Sequence, residues 1–395
     1  MTAVSADLNL QSQSRDAMLA ERARKHGTPL YLYDLDYLEI RVAELRAALH
    51  DAQARLFFAT MANDRLPVLC RLAQLGVGAC VNSIPHLELA QEAGFASDST
   101  QFTSTGVSRA DLQTLAARGI RTNLDSCAQL DAWFELGQTE AGIRVNAASL
   151  AGISQGDRIG IDVDQIPEAV QIAASRGGRI TGMHVYVGTN FQRPREMLPT
   201  LEAFFDLAVS LPDLVYVNVG GGIGVDYAHT GDPFDIDGYG ARIGDLASRL
   251  RGRIERPVEV ICEPGRSLTA SSARFLTRVT DVKQLSGCRL AAVDASVAIF
   301  PRPLHHPESP HRIRQLVPSI GRENGSGDGV PTSIVGRTTY SRDILGSCVL
   351  PESLSIGALL CFEDAGAYCQ SMISRFLGQR DPVEVFLDSG SAQCI

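Results

Sequence analysis

The stretch LVYVNVGGGIGVDYAHTGDPFD, residues 214–235, decides how the chain is read. A short apolar, β-branched run reads as a buried strand and ends in Gly220, Gly221, Gly222, Ile223 and Gly224. Glycines without Cβ atoms let a backbone approach an anion closely and aim several N–H groups at it. A tight turn is the bland alternative. A dinucleotide fingerprint is excluded, because VDYAHTGDPFD follows where that motif needs an immediate helix. A second run, VEVICEPGR at 258–266, is again strand-like and ends in Glu263, Pro264, Gly265 and Arg266. Glycine-rich and arginine-bearing turns after two successive strands make a phosphate site the better reading.

Working outward from these two runs, short apolar runs alternate with helical patterns. The strand candidates are 55–62, 78–83, 101–105, 121–125, 142–146, 180–187, 214–219 and 258–263. Between them lie amphipathic stretches such as LPVLCRLAQLG, IPHLELAQEAGF, RADLQTLAARG and PREMLPTLEAFFDLAVSL. Eight strands, each but the last followed by a helix, predict a (β/α)8 TIM barrel, so the fold class is α/β. In such a barrel the turns after strands seven and eight are where phosphate groups bind. Past residue 274 the runs RFLTRVTDVKQL, RLAAVDASVAIF, SCVLP, ALLCFEDAGAY and PVEVFLD are strand-like with little helical period. They predict a C-terminal all-β domain, with PSIGRENGSGDGVPT at 318–332 as a surface loop. The expected division is an N-terminal arm at 1–30, a barrel at 31–274 and a β domain at 275–395. The run PLYLYDLDYL at 29–38 either joins the β domain or leads into the barrel.

Composition bounds the function. The 395 residues are 45% hydrophobic and 21% charged, the balance of an ordinary globular protein. A net charge of −9 argues against nucleic acid and anionic membranes as partners. There is no apolar run of spanning length, no basic-then-apolar leader, and no C-x-x-C pair among nine cysteines, so a reduced, cytoplasmic protein is expected. His305 and His306 are adjacent without a third ligand, and no metal site is expected. Of 36 basic residues only Lys25 and Lys283 are lysines, which limits any mechanism that needs an amine.

FFATMAN at 57–63, HVYVGTNFQ at 184–192, VNVGGGIGVDY at 217–227, CEPGR at 262–266 and FEDAGAY at 362–368 together resemble the fold type III (alanine-racemase-fold) pyridoxal-phosphate decarboxylases. That group acts on ornithine, arginine, lysine and diaminopimelate. The resemblance implies a barrel with a β domain, a homodimer with shared active sites, and pyridoxal 5′-phosphate as cofactor. By position it implies that Gly220, Gly221, Gly222, Gly265, Arg266, Thr189 and Tyr368 hold the phosphate. Glu263 would face the pyridine nitrogen, Tyr186 would stack on the ring, and Arg144 and Cys80 would line it.

The departures matter as much. Where the family has its Schiff-base lysine this chain has Met61, and a thioether forms no Schiff base and carries no proton. The family's acidic residue on the second strand falls at Cys80 and a nearby glutamate at His86. The family's Cys-acidic pair, contributed by the partner subunit, falls at Thr339 and Tyr340, near Arg337, Arg342 and Asp343. Without an acid there, an amino acid with an anionic or polar distal end is expected instead of a simple basic one, with Arg302, His305, Arg337 and Asp343 as substrate-binding candidates.

Three explanations of Met61 are open. An active decarboxylase carries a lysine-to-methionine change; a naturally diverged barrel binds another cofactor such as haem or flavin; or a non-catalytic relative binds a ligand or partner. Under the first, the chain as written holds pyridoxal phosphate only non-covalently or as a preformed external aldimine, and turns over negligibly.

Overall fold

The computed structural model describes residues 3–152, 158–316 and 329–389. They divide into two compact units, one comprising residues 37–225 and 232–268, the other residues 1–36, 226–231 and 269–395.

The first unit is a closed barrel of eight parallel strands. They are β2 Ala54–Ala59, β3 Gly78–Val81, β4 Thr100–Thr103, β5 Arg121–Leu124, β6 Glu140–Val145, β7 Arg179–Val185, β8 Tyr216–Asn218 and β9 Glu259–Cys262, and β9 closes on β2. All eight sequence-expected runs are present. Helices between them start where serine follows a strand: Ser83, Ser108 and Ser126 each accept a hydrogen bond from a backbone N–H three residues on. The helix after β8 begins only at Ile236, with Asp235 accepting from the Gly238 N–H at 2.9 Å, so 219–235 is a long loop at the strand's carboxyl end.

The barrel interior is packed. Tyr216 lies across it because Gly142 and Gly182 leave room: a Cβ on Gly182 would sit 1.9 Å from the Tyr216 ring, and one on Gly142 2.1 Å from its hydroxyl. The Tyr216 hydroxyl donates to Asn123 Oδ1 at 2.7 Å. Below it, Arg121 stacks on the same ring at 4.7 Å and pairs with Glu259 at 2.8 Å, and Arg55 pairs with the other Glu259 oxygen at 2.7 Å. This end is closed by ion pairs, which leaves the opposite end for binding.

The second unit is built on β1 Leu30–Asp34, β10 Ala273–Leu285, β11 Cys288–Val293, β12 Ile313–Leu316, β13 Val330–Val335, β14 Ile344–Leu350, β15 Leu359–Phe362 and β16 Val383–Leu387. They form one sheet along the path β12-β15-β10-β11-β13-β14, with β1 between β10 and β16. Strand β1 therefore corrects the expected boundary. Residues 31–36, read as the barrel's start, belong to the β unit, because Leu30 to Tyr33 pair antiparallel with β10 and Leu30 to Asp34 parallel with β16. Residues 269–274 move the same way. Strands β12 and β13 were not anticipated. Most of the Gly- and Ser-rich run at 318–332 lies outside the described residues, and its end opens β13. Among the described residues no helix is long and apolar enough to cross a membrane.

A Gly182→Ala substitution overpacks the barrel against Tyr216 and should cost about 2 kcal/mol of barrel stability. Urea unfolding measures it, and an unchanged midpoint would contradict the packing described.

Candidate active site

The glycine loop after β8 is shaped by the backbone around it. Gly220 and Gly222 adopt left-handed φ values of +66° and +89°, which side-chain-bearing residues rarely take. Gly221 has ordinary φ, but a Cβ there would lie 2.4 Å from the Glu263 carbonyl oxygen. The loop is pinned on both sides. Glu263 N–H donates to the Gly220 carbonyl at 2.7 Å, and Phe191 N–H to the Gly222 carbonyl at 3.0 Å. The first turn beyond β9 brings Arg266, 6% exposed, to this loop's neighbourhood, where its guanidinium donates to Thr189 Oγ1 at 3.4 Å. Thr189 itself is exposed. Of the phosphate residues implied by sequence, the barrel unit thus supplies the three glycines, Gly265, Arg266 and Thr189. Tyr368 belongs to the β unit, on a backbone with φ +55°.

Glu263 is 7% exposed. Asn218 Nδ2 donates to its Oε1 at 2.5 Å, and His184 Nε2 lies 3.2 Å from its Oε2. The Cys80 thiol adds a third hydrogen bond. Burial works to raise this carboxyl, and the pull of His184 with the donors His184, Cys80 and Asn218 outweighs it, holding the group below the ordinary glutamate range. Burial pushes His184 down against the pull of Glu263, so His184 stays a neutral donor. Burial, the adjacent Glu263 charge and the hydrogen bond to it push the Cys80 thiol well up, making it a neutral donor and no nucleophile.

Asn218 and His184 are the residues that sequence reading missed. Asn218 joins three features, because its Oδ1 accepts from Gly220 N–H at 2.9 Å while its Nδ2 donates both to Glu263 and, at 2.7 Å, to Gln101 Oε1. The available signal was a polar residue inside the apolar run VYVNV. His184, on an apolar strand, offered no comparable signal.

Arg144, at the end of β6, lies 3.7 Å from the Asp125 carboxylate, with its guanidinium 5.6 Å from the centroid of the half-buried Tyr186 ring. Met61 sits in the single 3₁₀ turn Thr60–Ala62 that follows β2. That turn packs against the EPGR turn: a Cβ on Gly265 would meet those of Ala62 and Ala59 at 3.0 and 3.2 Å.

The substrate candidates all fall in the β unit, and two are spoken for. Arg302 is fully buried, 3.3 Å over the Tyr227 ring, donating to the Ser309 carbonyl at 2.8 Å and to its hydroxyl at 3.1 Å. Within its own unit the guanidinium is thus held by Ser309 and the Tyr227 ring. Asp343, 4% exposed, accepts from Val297 N–H at 2.8 Å, from Thr338 N–H at 3.0 Å and from the Thr338 hydroxyl, which closes the 336–343 turn instead of presenting a carboxylate. His305, Arg337 and Thr339 are exposed, and half-buried Tyr340 packs edge-on against Phe376 at 5.4 Å. No group of three His, Cys, Asp or Glu able to hold a metal occurs among the described residues.

The residues present fit pyridoxal phosphate at two of its three attachment points. A cradle free of Cβ atoms suits the phosphate, and an ionised, buried carboxylate suits a protonated ring nitrogen. Position 61 offers no amine for the aldehyde.

The Glu263 and His184 pairing fixes a pH dependence. Unfolded, His184 takes up a proton near pH ~6.5, whereas folded it stays neutral below that. Between the two values the unfolded chain binds more protons, so stability falls as pH drops through the histidine range. Glu263, with its folded value depressed, adds stability above the ordinary carboxylate range that is lost as pH falls through the folded value. His229, held up chiefly by the hydrogen bond it donates to Asp364, has the opposite sign and is common to both proteins compared. Stability measured by urea between about pH 7.5 and 5.5 should therefore change less in His184→Gln than in the unmodified chain, by up to about 1.4 kcal/mol per pH unit. Equal slopes would contradict a neutral, buried His184.

Residues 35–270 match the family described as pyridoxal-dependent decarboxylase, pyridoxal binding domain. A diaminopimelate decarboxylase of Methanothermobacter thermautotrophicus is 28% identical, covering 95% of this chain and 90% of that protein. A probable chloroplastic diaminopimelate decarboxylase of Oryza sativa is 30% identical over 92% of this chain and 76% of its own length. The crystal structure of diaminopimelate decarboxylase from Helicobacter pylori complexed with L-lysine superposes with a TM-score of 0.85 at 26% identity, covering 95% of each chain. With its barrel, glycine loop and buried glutamate in the places described, the chain belongs to the fold type III pyridoxal-dependent decarboxylase family.

Proposed function

We propose that this chain holds pyridoxal phosphate non-covalently at the carboxyl end of its barrel and that, as written, it does not turn over as a decarboxylase. The observation that carries the reading is Asn218, whose one side chain bonds both the first cradle glycine and the glutamate meant for the ring nitrogen. The two subsites are thereby set at a fixed spacing.

In this reading the N–H groups of the glycine loop, with Arg266 and Thr189, bind the phosphate. Tyr368 is assigned to it by resemblance. Glu263 keeps the ring nitrogen protonated, and His184, Asn218 and Cys80 keep Glu263 ionised. Bound in this way, the cofactor supplies an electron-accepting ring to an amino acid that loses its carboxylate. The amine that would tether the cofactor and hand it to substrate is absent at Met61.

The relatives are named as diaminopimelate decarboxylases, so the parent reaction is proposed as α-decarboxylation of an amino acid carrying a second polar or anionic end. Exposed Arg337 and His305 are its candidate contacts, and Thr339 with Tyr340 the groups nearest proton return, in a homodimer. Met61 as a natural residue is the second reading, favoured because the groups touching its turn satisfy one another: the Thr60 hydroxyl donates to the Cys80 carbonyl at 3.1 Å and His86 bonds Asn82 at 2.9 Å.

Adding pyridoxal phosphate to the purified chain should give a saturable difference spectrum and no adduct after borohydride reduction. Met61→Lys should turn yellow, gain one reducible adduct by mass, and release carbon dioxide from diaminopimelate at least about 100-fold faster than the chain as written. A Met61→Lys protein that binds the cofactor but forms no adduct would overturn the assignment of residue 61. No binding in either protein would overturn the cofactor.

A further inference from the structure

We infer that His86 is the group that holds and moves a proton at the residue-61 end of the barrel mouth. The inference rests on the reading that pyridoxal phosphate occupies that mouth, and it concerns a histidine where the resemblance has glutamate.

His86 stands in the first turn of the helix Ile84–Glu92, directly after β3, with its N–H on the Ser83 hydroxyl at 3.3 Å. Its Nδ1 is 2.9 Å from Asn82 Oδ1 and 3.3 Å from Thr60 Oγ1. The carboxamide oxygen only accepts. The Thr60 hydroxyl has already committed its hydrogen to the Cys80 carbonyl at 3.1 Å, so it too is an acceptor toward His86. Both partners therefore call for a proton on Nδ1, and that tautomer leaves the ring's lone pair on Nε2. Among the described residues nothing hydrogen-bonds to Nε2, and the side chain is half-buried, not sealed.

Thr60 is the residue before Met61, so the group that fixes the imidazole and the residue that replaces the amine share one turn. Met61 carries no titratable atom. Cys80 on β3 has its thiol on Glu263. The other charged groups on the adjoining helices are engaged outward: Glu88 pairs with Arg118 at 3.3 Å and Arg71 with Glu39 at 2.9 Å, while Glu92 is exposed. No carboxylate or guanidinium contacts the His86 ring. An imidazole with a fixed tautomer, an accessible Nε2 and no competing ion beside it can take a proton at Nε2 and return it, while Asn82 and Thr60 retain the Nδ1 proton throughout.

The test uses the full chain with pyridoxal phosphate and two readouts that need no turnover. Diethyl pyrocarbonate modifies the lone-pair nitrogen of neutral histidines, and peptide mapping gives the rate at each site. Pyridoxal phosphate at ten times its Kd should slow modification of His86 about tenfold and leave His50, whose side chain is 86% exposed, unchanged. The absorption of the bound cofactor should also show a pH-dependent inflection that His86→Asn abolishes and His50→Asn retains. Circular dichroism of His86→Asn establishes that it is folded. Saturable binding with undiminished His86 modification, or an inflection that survives in His86→Asn, overturns the role of His86 and leaves the cofactor assignment standing. Absence of saturable binding removes both.

Discussion

A carboxylate kept ionised inside a protein barrel must be surrounded by donors, and that requirement organises the whole binding end of this molecule. Glu263 is met by Asn218, His184 and Cys80 from β8, β7 and β3. Removing any one would leave a buried charge short of a partner, which costs far more than the net value of an ordinary hydrogen bond. The same donors fix the rest. Asn218 sets the entry to the glycine loop and reaches across to Gln101 on β4, so the glycine loop and Glu263 are parts of one hydrogen-bonded assembly.

The opposite end of the barrel is organised for stability alone. Tyr216 fills the space conceded by Gly142 and Gly182, and Arg121, Arg55 and Glu259 close the floor. Chemistry at one end and ion pairing at the other follow the polarity that parallel barrels impose, since all eight strands deliver their carboxyl ends to the same face.

Much of this was legible before any coordinates. Strands buried on both faces read as apolar runs, and the amphipathic stretches between them read as helices, so the barrel's eight strands could be located from residue pattern. The glycine loop was legible as a triple glycine directly after a strand. What failed to show did so for identifiable reasons. PLYLYD is equally apolar whether it opens a barrel or fills a sheet, and its partners Phe275 and Glu384 lie hundreds of positions away. A histidine on an apolar strand looks the same whether it packs or hydrogen-bonds a glutamate, which hid His184. Arg302 and Asp343 resembled free ligands because nothing in a sequence reveals that Tyr227, Ser309, Val297 and Thr338 already engage them. Met61, in contrast, was plain from the residue type alone.

The central claim is that cofactor recognition has outlived the covalent anchor, so affinity should depend on phosphate and ring and not on the aldehyde. Calorimetric titration of the chain as written with pyridoxal 5′-phosphate and with pyridoxine 5′-phosphate, which lacks the aldehyde, tests this most directly. Saturable binding of both is expected, with Kd values within about threefold, under 1 kcal/mol apart. Binding of the aldehyde alone, or of neither, would contradict it.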